Sequence, residues 1–150
     1  MPFEATVTAP HRALRPATPQ DAPVLAQLVN HAGEGLPLYL WEKLAEPGET
    51  AWDVGRRRAA RDEGGFSYRN AVMAEHRGRS VGALIGYEIA EAPSPIGPDM
   101  PAMFRPLQEL ENLALGSWYV NVLAVLPGFR GNGLGTVLLR LADDTGRKLG

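Results

Sequence analysis

Residues 125–135 read VLPGFRGNGLG, from Val125 to Gly135, and the fold turns on how this stretch is read. The run before it, SWYVNVLAV at 117–125, is β-branched, aromatic and apolar almost throughout, which predicts a strand buried on both faces. After it, Leu134, Val137, Leu138 and Leu141 fall at i, i+3, i+4 and i+7, the stripe of an amphipathic helix. A helix that starts inside a glycine loop leaves its first N–H groups without carbonyl partners, and its dipole favours negative charge there. Glycines at 131, 133 and 135 let a bulky anion approach the backbone, and Arg130 adds a positive charge. Pyrophosphate suits such a loop. A P-loop would need a lysine before Thr136, and a dinucleotide fingerprint would need G-x-G-x-x-G where this loop has G-x-G-x-G. The bland alternative is that these glycines only turn the chain and cap the helix.

The rest of the chain brackets this unit. Thr18, Pro19 and Asp21 form a helix start, followed by Val24, Leu25, Leu28 and Val29 as an apolar stripe to about Asn30. A second helical region runs from about Tyr39 to Asp62, broken at Pro47-Gly48. The segment NAVMAEHRGRSVGALIGYEIA alternates about a turn at HRGR, so Val72 and Ala74 are expected to answer Val81, Ala83 and Ile85 across a hairpin. Residues 92–106 form a proline-rich insert that can be neither a strand nor a long helix. LQELENLA then reads as a short amphipathic helix with Leu107, Leu110 and Ala114 on one side.

Composition narrows the function. One hundred and fifty residues make a single domain, 1–150, the default. A formal charge of −2 gives no electrostatic footprint for nucleic acid or an anionic membrane. The absence of cysteine excludes disulfides, thiolate metal sites and cysteine nucleophiles. His11, His31 and His76 show no ligand spacing, so no metal is expected. The N-terminus, with Glu4 and several prolines, has no apolar leader core, and no apolar run approaches the ~20 residues of a membrane span. The expectation is a soluble cytoplasmic domain.

The stretch LAVLPGFRGNGLGTVLL resembles the acyl-CoA signature of the GNAT N-acetyltransferase family: Arg-Gly-x-Gly-x-Gly after a strand ending Leu-Ala-Val and a proline. The order of elements also resembles that fold, most strongly from Trp118 to Leu141. The resemblance implies an α/β (α+β) domain with a central mixed, mostly antiparallel sheet and helices on both faces. It implies that the main chain of Leu123, Ala124 and Val125 pairs with the pantetheine arm of acetyl-CoA. The amides of Arg130, Gly131, Asn132, Gly133, Leu134, Gly135 and Thr136 would cradle the pyrophosphate. It further implies direct acetyl transfer to the amine of a small molecule or peptide, with a general base and a backbone N–H, here Val125, polarising the thioester carbonyl. A homodimer is compatible with it.

Two departures from the family pattern bear on catalysis. Where some members carry a catalytic glutamate on the strand, this chain has Tyr119, with Asn121 on the same face, and both can order a water. The upstream carboxylates are Glu111 and Glu109, with Glu111 favoured; both also read as solvated charges on a surface helix. The family fold continues past the last helix into further strands and the helix that carries its usual tyrosine acid. The sequence reading therefore expects a C-terminally truncated form, or a partner chain that completes the sheet. On the acceptor side, GEGLPLYLWEKL offers Tyr39 and Trp41 for stacking and Glu34 to hold an amine, unless the aromatics only seat the second helix. GRRRAARDE (55–63) reads as a charge-paired helix face or a contact for the CoA 3′-phosphate, and the proline-rich insert as a lid or a plain loop. An acyl-CoA-binding or sensor domain without turnover is the competing class.

Overall fold

The structure is a computed structural model that describes residues 8–9 and 12–150. The readings of residues 1–7 and of His11 lie outside the described residues. The sheet has five strands: β1 (Thr8–Ala9), β2 (Arg12–Pro16), β3 (Ala71–His76), β4 (Arg79–Glu88) and β5 (Trp118–Val125). They follow one another in chain order, β1-β2-β3-β4-β5, and every pairing is antiparallel. The helices are α1 (Ala22–Ala32), α2 (Leu36–Leu44), α3 (Ala51–Ala59), α4 (Arg105–Leu113) and α5 (Leu134–Leu149).

Helix α1 starts as its sequence dictates. A short 3-10 turn at Pro19–Asp21 precedes it, and the Asp21 carboxylate accepts the Thr18 N–H at 2.8 Å. Pro23 falls in the first turn of α1, where its missing N–H has no partner to lose. Asp21 is 6% exposed and receives both terminal nitrogens of Arg15 at 2.8 Å, while Arg15 Nε donates to Glu75 at 2.6 Å. One guanidinium thus ties β2 to β3 and to the start of α1. The break between α2 and α3 falls at Pro47-Gly48, and Thr50 and Asp53 cap α3 reciprocally.

The helices cover both faces of the sheet. On one face Leu25 and Leu28 of α1 meet Met73, Ala83, Ile85, Val122 and Ala124. Leu25 and Leu28 are fully buried, each contributing about 1.5–3 kcal/mol by removal from water. On the other face Leu134, Leu138 and Ala142 of α5 pack on Leu14, Val72, Val81, Leu84 and Val125. Leu134 and Leu138 of the predicted stripe are buried, Val137 and Leu141 pack partly buried beside them, and Ala142 joins them.

Three expectations change. The hairpin turns at Arg77-Gly78, and Val72 faces Leu84 while Ala74 faces Gly82. The register shifts between Ala74 and Glu75, leaving Val81 as the extra residue, so Ala83 and Ile85 lie on the opposite face with Met73. Strand β5 is not buried on both faces: its C-terminal half is buried, but Val120 is 40% exposed, because α1 and α5 cover only the end that leads into α5. Helix α4 is amphipathic as expected, yet Leu107 and Leu110 are 41% and 63% exposed, so its apolar side does not reach the main core.

Candidate acyl-CoA site

The glycine loop between β5 and α5 is shaped by its backbone. A 3-10 turn at Pro127–Phe129 ends in extended Arg130, then Gly131 and Gly133 take φ of +83° and +78°. These are left-handed conformations that side chains with a Cβ rarely adopt. Asn132 turns its side-chain amide back to donate to the Phe129 carbonyl at 3.0 Å. Gly133 is the N-cap of α5 and provides no side-chain cap, so the first amides of α5 have no intrahelical acceptor. A Cβ built on Gly131 or Gly135 would meet nothing within 4 Å, so neither glycine is needed for internal packing. Buried Leu134 pins the helix start to the core, and the donors face outward from a fixed base.

Strand β5 forms the sheet edge among the described residues. The Leu126 N–H donates to the Val81 carbonyl at 2.8 Å. Alternation along a strand then directs the backbone of Ala124 toward β4 and that of Leu123 and Val125 toward the open edge. Of the three residues expected to pair with a pantetheine arm, Ala124 is therefore already engaged by the sheet. The Val125 carbonyl accepts Arg130 Nε at 3.0 Å, which ties the motif arginine to the strand that precedes it. Between Val122, opposite Ile85, and Val120, opposite Gly86, the register shifts by one. Asn121 is the extra residue, and the bulge breaks the ladder about 13 Å along the strand from Val125.

Beyond this bulge the structure gathers three side chains. Tyr87 and Tyr119 are opposite one another in the β4–β5 ladder, with ring centroids 5.5 Å apart and near-perpendicular planes. The Tyr87 hydroxyl donates to Glu111 Oε1 of α4 at 3.3 Å. Burial first, and the charge of Glu111 second, push the Tyr87 hydroxyl well above the usual phenol range, so it remains a proton donor. Glu111 is thus tied to Tyr87, whose ring meets Tyr119 two residues from the Asn121 bulge, whereas Glu109 is exposed on the same helix. The proline-rich insert folds back on α4: the Ser94 N–H donates to Asn112 Oδ1 at 3.0 Å and Asn112 Nδ2 to the Ser94 carbonyl at 3.0 Å.

The acceptor-side residues separate. Trp41 is 4% exposed, stacked on Phe66 and edge-on to Trp52, and its ring lies on Gly55, where a Cβ would come within 2.5 Å. Its faces are occupied, so it seats α2 on α3 and offers nothing for stacking. Tyr39 is 51% exposed with Lys43 Nζ 4.7 Å above its ring. Glu34 is exposed in the α1–α2 turn at φ +52°. In GRRRAARDE, Arg56 pairs with Asp53 and Arg57 with Glu49, the internally paired face. Among the described residues no group of His, Cys, Asp or Glu is arranged to hold a metal ion, and no helix is long and apolar enough to cross a membrane.

Sequence reasoning missed Tyr87, Phe129 and the bulge. Tyr87 continues the alternation of β4 two places beyond Ile85, but Glu111 lies 24 residues away, and nothing local connects them.

The family model for the acetyltransferase (GNAT) family matches residues 37–150. Among solved structures, an acetyltransferase is 23% identical, with a TM-score of 0.61, over 90% of this chain and 74% of its own. An N-acetylglutamate synthase from Neisseria gonorrhoeae, complexed with coenzyme A and N-acetyl-glutamate, is 19% identical, with a TM-score of 0.53, over 96% of this chain and 24% of its own. An agmatine N-acetyltransferase is 20% identical, with a TM-score of 0.53, over 94% of this chain and 72% of its own. At these identities the likeness is one of fold. A search of curated proteins returned no match.

Proposed function

Because this chain belongs to the acetyltransferase (GNAT) family, we propose that it moves an acetyl group from acetyl-CoA directly to a primary amine of a small molecule or peptide. The observation that carries this reading is that β5, the sheet edge among the described residues, leads directly into the uncapped start of α5. An edge strand pairs with an extended amide-bearing arm, and free helix amides take the diphosphate at its end. The residues fit: Leu123 offers its outward backbone groups and Val125 its outward N–H, the Val125 carbonyl being held by Arg130, and Gly131 and Gly135 border open space.

Acetyl-CoA supplies the activated acyl thioester, and this chain's residues position it and handle the protons. An arm anchored at the loop and running back along β5 ends near Asn121. The bulge amide there, rather than that of Val125, is the donor set to meet charge developing on the carbonyl. The Glu111 carboxylate accepts the proton that the acceptor ammonium must lose before it attacks, and Tyr87 holds that carboxylate in place. Tyr119, packed edge-on against Tyr87, and Asn121 at the bulge are assigned to ordering the acceptor or a water. Glu34 in the α1–α2 turn and Tyr39 on α2, both exposed, are assigned to the acceptor.

Calorimetric titration with acetyl-CoA, with ATP and NAD as controls, tests the binding half. Selective binding supports it, and equal binding of ATP would overturn it. Thiol release across an amine panel tests the chemistry. The second reading, an acyl-CoA sensor, is favoured by the tyrosine at position 119, where a carboxylate would sit on the strand. Turnover with any amine removes it.

A further inference from the structure

We propose that Arg79, seated on the ring of Phe129, binds the 3′-phosphate of the CoA ribose and so separates CoA from its 3′-dephospho form. This rests on the acyl-CoA reading above and adds a subsite to it. Of the arginines of α3, Arg56 and Arg57 are engaged by Asp53 and Glu49, and Arg58 is partly buried beside the like charges of Arg57 and Arg61. Arg79 is exposed, and among the described residues no carboxylate pairs with it. Its guanidinium carbon lies 5.1 Å from the centroid of Phe129, the residue immediately before Arg130. The His76 ring meets Phe129 edge-on at 6.0 Å, and His76 Nδ1 is buried without a hydrogen-bond partner.

Position supports the assignment. Arg79 and His76 are opposite one another at the end of the β3–β4 hairpin. They meet Phe129, which packs in the cluster beneath α5, on the face that α5 covers and at the end where α5 begins. A coenzyme whose diphosphate rests on the loop, and whose acyl arm runs back along β5, sends its nucleotide the other way, past this corner. A guanidinium stacked on an aromatic ring is held in plane while its N–H edge stays open to fork a phosphate. Residues 126–136 contain no carboxylate, so nothing in the loop opposes a dianion there. The exposed Arg140, on the second turn of α5, is the competing cation.

The test measures dissociation constants for CoA and 3′-dephospho-CoA by calorimetry. The unmodified protein is expected to prefer CoA by about tenfold, as one charge-assisted contact provides. Arg79→Gln should bring the two constants within about twofold by weakening CoA alone, with Arg79→Lys intermediate as expected for a point charge replacing a fork. Arg140→Gln should keep the preference. Equal affinities in the unmodified protein, or an undiminished preference in Arg79→Gln, overturns the proposal while leaving the acyl-CoA site standing. Failure of both compounds to bind overturns the functional reading and this subsite together.

Discussion

The Tyr87 hydroxyl donates to Glu111 Oε1 at 3.3 Å, a contact between the end of strand β4 and a residue of α4 24 positions further along. It singles out one of two nearby carboxylates and places it against the tyrosine pair that flanks the bulge.

If Glu111 is the base, Glu111→Gln lowers kcat by about 100-fold or more while acetyl-CoA affinity holds, and Glu109→Gln changes neither. Tyr87→Phe lowers kcat about 3–10-fold, the loss of one hydrogen bond, with acetyl-CoA affinity and Tm unchanged. Steady-state kinetics beside calorimetry decide. A fall in Tm with constant kcat would make Tyr87 purely structural.

The loop glycines give a cleaner probe at position 135 than at 133. Gly133 has φ +78°, so Gly133→Val combines backbone strain with any intrusion on the ligand. Gly135 lies within α5, and its added Cβ would enter open space. Gly135→Ala should therefore be stable, or gain up to about 1 kcal/mol, while binding acetyl-CoA more weakly. Equal affinity in that variant would reduce the loop to a cap.

Trp41→Ala should cost about 3–5 kcal/mol, read by urea denaturation, because it empties the space between α2 and α3. Tyr39→Ala should leave stability within about 0.5 kcal/mol and raise KM for the acceptor. The opposite pattern would return Trp41 to the acceptor pocket.

Asp21 sets an acid limit. Its burial alone would raise its pKa, but the bonds from Arg15 and Thr18 outweigh that and leave it below the usual carboxylate value. The folded form therefore holds this proton less tightly than the unfolded form. Its contribution is complete above the unfolded value near pH 4 and disappears as pH falls through the lower folded value. Asp21→Asn should lose about 3 kcal/mol at pH 7, as for a broken buried pair, and show a flatter decline in stability below about pH 4. An unchanged acid limb in the variant would assign acid unfolding to other carboxylates.

The glycine loop was legible because its shape is set by local backbone. Strand character, an arginine, spaced glycines and an amphipathic helix are all local, and residues 118–141 state them in order. The paired arginines of α3 were legible too, since their partners lie within eight residues. Glu111 could be favoured over Glu109 but not separated from it, because both occupy one exposed-looking helix and the choice depends on what stands opposite. Trp41 read as a core residue ahead of a substrate contact, and the close approach of its ring to Gly55 places it in the core.

The sequence by itself determined most of the elements, the Thr18–Asp21 helix start, the faces of α1 and α5, and a glycine loop between a strand and a helix, since these follow from patterns within a few residues. Only the tertiary structure decided which β5 backbone groups face the open edge, that the ladder slips at Asn121, and that Tyr87 meets Glu111 and Arg79 meets Phe129. Those relationships depend on register between strands, where one extra residue reverses every face beyond it, and no local pattern carries that information.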